Sequence, residues 1–243
     1  IFTFVLFSIY VIKKSQLKLE LSKFKYSAPL VKEIMKIGVP ATMMMLIISA
    51  YMTILNRFMS HFGTDYVSAW GIIFRLESVA LMPMIGLGTA MMNLIGMLIG
   101  AKKTQEIKST IWYGIKRAIL FASLIGLIFF AIPEIALRIF TNEESIIALG
   151  KPFLRIDVIT FPLMAVSMMI ARSMQGMGYG LPGFVIQFVR TILVVTLLSY
   201  ILVFVFGYGY LAVAISMFAG GLVANLIGII WIESKLKKLQ NNH

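Results

Sequence analysis

Arg75 and Glu77 lie two residues apart inside a stretch otherwise apolar enough to cross a bilayer, Trp70 to Lys103, reading WGIIFRLESVALMPMIGLGTAMMNLIGMLIGAKK. Ionisable groups inside a span are costly and are usually there for function. A two-residue step turns about 200° around a helix, so the pair does not face itself and each member needs a partner elsewhere. Two readings stand side by side. One is a structural charge pair near the membrane surface. The other is a carboxylate, Glu77, that takes up and releases a proton or a cation, with Arg75 tuning it. The same stretch carries Pro83, Gly86, Gly88, Gly96 and Gly100. Proline bends a helix and glycines bring neighbours close, so Pro83, Gly86 and Gly88 form a candidate hinge.

The remaining chemistry is sparse. Asp157 follows Arg155 early in a later apolar segment and reads as a capping or interfacial charge at its outer end. Arg172 and Arg190 read as side chains that snorkel or anchor the inner ends of two spans. Met43-Met44-Met45, Met91-Met92 and Met168-Met169 cluster among 17 methionines. Most of these suit lipid-facing or core positions, but methionine also makes a soft, adaptable wall for varied apolar ligands. Met44 and Met164 are candidates for such a wall. Tyr51, Phe74 and Phe161 are candidates that could also stack on cations. No cysteine is present, and the histidines are His61 and His243, so neither a thiolate nor a histidine cluster is available for a metal. No paired base and nucleophile lies in a span, which argues against an intramembrane enzyme.

These residues must be held by membrane helices. The chain is 60% hydrophobic and 13% charged, where a soluble domain carries about 25% charged residues. The net charge of +12 is not a nucleic-acid signature, because the lysines border apolar spans and are not interleaved with exposed aromatics. Ile1 to Ile12 is expected to be the end of a truncated span, and residues 13–36 a basic cytoplasmic linker. Residues 37–234 are expected to form a six-helix bundle, with 235–243 as a cytoplasmic tail. Within it, His61-Phe-Gly-Thr-Asp65, Gly176 to Gly183 and Gly207-Tyr-Gly-Tyr210 mark turns. Thr191 to Ile232 is free of charge and about 63 Å long as a helix, about twice a bilayer core, so it must fold back at Gly207. Placing 13–36, 102–117, 172–182 and 235–243 on one side collects most of the 22 basic residues there. That side is the cytoplasm by the positive-inside rule, in an inner or plasma membrane.

Several segments, in this order and spacing, resemble the carboxy-terminal lobe of the multidrug and toxic compound extrusion (MATE) family. They are Ile37-Gly-Val-Pro40, Asn56-Arg57 with His61-Phe-Gly63, Ala69 to Glu77, Met82 to Ala90, Ile95 to Ala101, Phe153 to Ile156 and Met174 to Gly178. The resemblance covers nearly all of residues 30 to 235. It implies one lobe of a twelve-helix, two-lobe transporter, with the amino-terminal lobe as the missing partner. It also implies export of amphipathic, often cationic compounds by alternating access, without a cofactor but with Na+ or H+ as coupling ion.

The chain departs from one branch of that family at the cation site. Ile48 and Met164 stand where that branch has carboxylates, and Met97 where the family has glutamine. Coupling would then rest on Glu77 or on carboxylates in the amino-terminal lobe. The alternatives are a flippase of the same superfamily, such as one for lipid-linked oligosaccharides, and a non-transporting membrane scaffold.

Overall fold

The computed structural model describes residues 26–241. The expected truncated span at 1–12 and most of the linker at 13–36 therefore lie outside the described residues. The chain divides into two compact units, residues 1–35 and 36–243. All of the described architecture that bears on function belongs to the second.

The described residues are helical, with no strand among them. Six segments are long and apolar enough to cross a membrane: Ala28–Ser60, Thr64–Gly100, Thr104–Ala131, Glu144–Gly176, Leu181–Val205 and Leu211–Leu239. The first three are single helices, α1 (Ala28–Ser60), α2 (Thr64–Gly100) and α3 (Thr104–Ala131). A short α4 (Pro133–Arg138) leads into α5 (Glu144–Asp157), which passes through one tight turn, Val158–Thr160, into α6 (Phe161–Gly176). The fifth span is α7 (Leu181–Phe188), α8 (Leu197–Tyr200) and two wide π-helical stretches, Val189–Thr196 and Ile201–Val205. The last is α9 (Leu211–Asn241).

The turns fall where glycine permits them. Gly178 (φ 85°) and Gly207 (φ 70°) adopt backbone angles that side chains resist, and each follows a helix end. Span boundaries run beyond the expectation: the first begins at Ala28, inside residues 13–36 expected to be linker, and the third begins at Thr104. The fourth span starts at Glu144 rather than Phe153, because Ile147, Gly150, Phe153, Leu154 and Asp157 form one continuous buried face. The fifth starts at Leu181, ahead of the charge-free run that opens at Thr191, and so it takes Arg190 inside.

Small residues set the packing. The buried face of α3 runs Ile107, Ile111, Ile115, Ala118, Ala122, Gly126, at steps of three and four. Its small end lets Val158 approach, since a Cβ on Gly126 would sit 3.1 Å from the Val158 carbonyl oxygen. Without a hydrophobic gain between helices in lipid, such close contact is what holds them. At one end of the bundle, Lys108 pairs with Glu233 at 2.9 Å and Trp112 donates to the same carboxylate, joining α3 to α9. Around α4, Arg138 bridges Glu134 and Glu144, and Lys151 also reaches Glu134. Hydrogen bonds from Lys151 and then Arg138 hold the Glu134 carboxyl below its usual range.

The tightest crossing is that of α6 over α2. A Cβ on Gly176 would lie 2.5 Å from the backbone oxygen of Met92, which cannot rotate away. Gly176→Ala is expected to destabilise the fold by about 1–3 kcal/mol. Thermal unfolding of the purified full-length protein checks this. Gly71→Ala, where nothing lies within 4 Å, is the matched control and is expected to leave the midpoint unchanged or slightly raised.

Candidate functional site

Among the described residues, an open cavity of about 360 Å³ lies between the helices. Its wall is built by helical spacing. Met44, Ile48 and Tyr51 come from α1, and Phe74, Glu77, Ser78, Leu81 and Ile85 from α2. Met164, Ser167, Met168, Ala171, Arg172 and Gln175 come from α6. The fifth span adds Gly183, Ile186, Gln187, Arg190 and Thr191, and α9 adds Met217. Steps of three and four put each set on one face, so four amphipathic stripes converge on the same space. Most of the wall is apolar, with a few polar groups inside it, which is the usual make-up of a small-molecule site.

Glu77 is in that wall and only 6% exposed. It is the fourteenth residue of α2, about 20 Å along the helix, and therefore deep rather than close to the membrane surface. It has no ion pair among the described residues. Arg75 faces the other way, exposed and outside the cavity wall, as the 200° step required. The cation that acts on Glu77 is Arg190.

Arg190 is thus not a snorkelling anchor. The spacing Gly183, Ile186/Gln187, Arg190 puts it on the cavity face, in the π-helical stretch Val189–Thr196. Thr196 donates to the carbonyl of Thr191, five residues back, the wide-turn spacing. Such stretches are frequent at functional sites. The Nε of Arg190 is buried with no hydrogen-bond partner.

Asp157 is likewise not an interfacial cap. It is fully buried. The Thr160 hydroxyl donates to the Asp157 carbonyl at 2.7 Å and lies 3.4 Å from Oδ1, while Oδ2 has no partner. Glu77, Asp157 and Arg190 lie within electrostatic reach of one another, and Tyr51 within reach of all three. Two carboxylates and one guanidinium therefore share one interior. Burial of an unpaired charge is strongly unfavourable, and Arg190 is the cation that acts on both carboxyls, without an ion pair to either.

Of the other expected wall residues, Met44, Tyr51, Phe74 and Met164 line the cavity. Phe161 does not. It is 1% exposed and packs edge-on against Phe129 of α3, 6.3 Å between ring centres, because its turn of α6 faces α3. Among the hinge candidates, Pro83 lies inside an unbroken α2 and is exposed, as is Gly86, with nothing within 4 Å of its Cβ position. Gly88 is buried beneath Arg172, whose Cγ would lie 2.9 Å from an added Cβ. Ile48 and Met164 both line the cavity, so the sites where one branch would carry acids are apolar here. Among the described residues no group of three or more His, Cys, Asp or Glu could hold a metal.

The fold and this site define an all-α, multi-pass membrane protein with an internal, sparsely charged chamber. The MatE family profile matches residues 40–201. The chain belongs to the MatE family, whose members are transporters rather than enzymes. It is 25% identical over 203 residues to the probable multidrug resistance protein NorM of Thermotoga maritima, covering 84% of this chain and 44% of that one. It is 26% identical over 182 residues to the multidrug export protein MepA of Staphylococcus aureus, covering 72% and 39%. An outward-facing multidrug resistance MATE transporter superposes with a TM-score of 0.91 at 21% identity, over 100% of this chain and 55% of that one. A transporter from Pyrococcus furiosus described as having a binding pocket of reversed polarity gives 0.91 at 22%, over 98% and 54%. The chain spans less than half the length of the curated relatives and about half that of the solved chains.

The cluster generates a stability test. Removing Arg190 leaves Glu77 and Asp157 facing each other without a counter-charge. Arg190→Gln in the full-length protein is expected to lower the unfolding midpoint, by less than the ~3–5 kcal/mol of a broken contact pair. Adding Asp157→Asn should restore part of the loss. Additive losses in the double variant would show that the charges do not interact.

Proposed function

We propose that this lobe is half of a cation-coupled antiporter of the plasma membrane that exports amphipathic compounds by alternating access. The other half is an amino-terminal lobe of the same transporter. One observation carries the reading: a deeply placed carboxylate, Glu77, in the wall of a cavity large enough for a small molecule, with Asp157 and Arg190 within reach. Substrate and coupling ion would then act on the same carboxylate. A proton or Na+ arriving at Glu77 changes the charge that Arg190 must balance. Membrane lipid surrounds the bundle, and neither a cofactor nor nucleic acid enters the mechanism.

The multidrug relatives support the substrate class in general terms. They favour this reading over a non-transporting scaffold, because a scaffold has no use for an internal chamber with charged walls.

In vesicles containing the full-length protein, an imposed pH or Na+ gradient is expected to drive dye accumulation. Glu77→Gln should cut gradient-driven accumulation at least tenfold while dye binding at equilibrium stays within a few fold. Coupled transport that survives Glu77→Gln unchanged makes the carboxylate structural. Comparing the two gradients identifies the ion.

The same reading gives the middle of α2 a moving role. Pro83 removes one backbone hydrogen bond, and Gly86 lies in open space a turn later. Bending there would carry Glu77 relative to the inner half of the helix. Gly86→Ala stiffens that turn without a clash, so turnover is expected to fall several-fold while thermal stability holds or rises by about 1 kcal/mol. Unchanged turnover would remove Gly86 from the moving part.

A further inference from the structure

The charge on the cavity wall is unequal. Glu77 is the acid that lines it, whereas Arg172 and Arg190 both do. Arg190 acts at a distance on Glu77 and on the fully buried Asp157, without an ion pair to either. Arg172 makes no ion pair with any carboxylate among the described residues. Its one polar contact is Nη1 donating to Gln175 Oε1 at 3.2 Å, one turn further along α6. A neutral amide oxygen orients a guanidinium but does not neutralise it.

Arg172 is also held in place. Its stem crosses α2 at Gly88, where a side chain of any size would meet its Cγ at 2.9 Å. A long, flexible arginine laid into a groove of the neighbouring helix loses its freedom before a ligand arrives, which lowers the cost of binding one. A guanidinium presents several donors in a planar fork that matches carboxylate, sulfonate or phosphate oxygens in pairs. Around it the wall is methionine, aliphatic and Phe74, with the amides of Gln175 and Gln187.

We propose that Arg172, cradled on Gly88 and oriented by Gln175, is an anion subsite, so that compounds bound in this cavity carry a carboxylate, sulfonate or phosphate on an apolar body. This rests on the cavity being the substrate chamber. It changes the substrate class from amphipathic cations to amphipathic anions or zwitterions. A zwitterion would set its positive end toward Glu77 and its negative end toward Arg172. The two ends of the cavity thereby sort ligands by charge as well as by size.

The test compares two dyes with one ring skeleton and opposite charge, fluorescein and a cationic rhodamine ester, by equilibrium binding to the full-length protein in zwitterionic-lipid nanodiscs. Fluorescein is expected to bind at least tenfold more tightly. Arg172→Gln should lower its affinity about tenfold, near 1.4 kcal/mol, and leave the rhodamine ester unchanged or tighter. Arg172→Lys should retain part of the affinity, because the charge remains while the fork is lost.

Should Arg172→Gln not fold, Gly88→Ala displaces the same guanidinium and is expected to weaken fluorescein selectively. Adding anionic phosphatidylglycerol to the nanodiscs separates the sources of the anion. Competition with fluorescein assigns the subsite to a lipid headgroup, and its absence assigns it to a soluble amphiphile. A preference for the rhodamine ester, or equal binding of fluorescein to wild type and Arg172→Gln, overturns the proposal. Because binding is read without a gradient, loss of coupled transport alone would overturn the antiport reading and leave the subsite standing.

Discussion

Two carboxylates and one guanidinium occupy the interior of a bundle that otherwise offers them methionine and aliphatic side chains. In that setting each isolated charge costs several kcal/mol, and Arg190 is the cation that acts on both Glu77 and Asp157. The surrounding structure follows from this. Asp157 reaches the interior because α5 begins early enough to present Ile147, Gly150, Phe153 and Leu154 on the same face. Arg190 reaches it because the fifth span widens into π-helical turns there. Glu77 reaches it from α2, which starts a full thirteen residues before it. Three helices thus bring their charged groups into one interior.

The glycines do the complementary work of bringing those helices close enough. Gly176 on Met92, Gly126 on Val158 and Gly150 against Leu137 are contacts at which one added carbon would touch backbone or a packed side chain. Each lies on a helix that carries, or immediately adjoins, a charged member of the cavity or its cluster. Charge placement therefore depends on close packing. A helix held further out would move its charged group away from the others in the interior.

Much of the fold was legible in the sequence, because hydropathy, turn glycines and the placement of lysines respond to the bilayer alone. The six spans and the turns near Gly178 and Gly207 needed no knowledge of tertiary contacts. The site was legible only in part. Glu77 stood out as an acid in an apolar run, but Arg75 beside it drew attention that belonged to Arg190, whose partner is far away in sequence and close in space. Asp157 was read as an interfacial charge because it was taken to lie early in its apolar segment; the Gly150–Phe153–Asp157 spacing was the available signal. Phe161 looked like a wall residue by type, yet which neighbour a turn of α6 faces is decided by packing against α3. The π-helical widening has no sequence mark comparable to a proline or a glycine.

Arg190 occupies two roles at once, and this gives the arrangement its functional content. It lines the cavity, so a ligand can touch it, and it balances the carboxylates, so a proton or cation arriving there changes what it must balance. A ligand charge placed beside Arg190 and an ion placed beside Glu77 or Asp157 therefore act on the same electrostatic sum. Two binding events that share one counter-charge are coupled reciprocally, with no separate linkage needed between them. Arg172, outside that sum, can hold a ligand without disturbing it. A chamber with one shared cation and one uncommitted cation thus separates the part of binding that responds to the ion from the part that selects the compound.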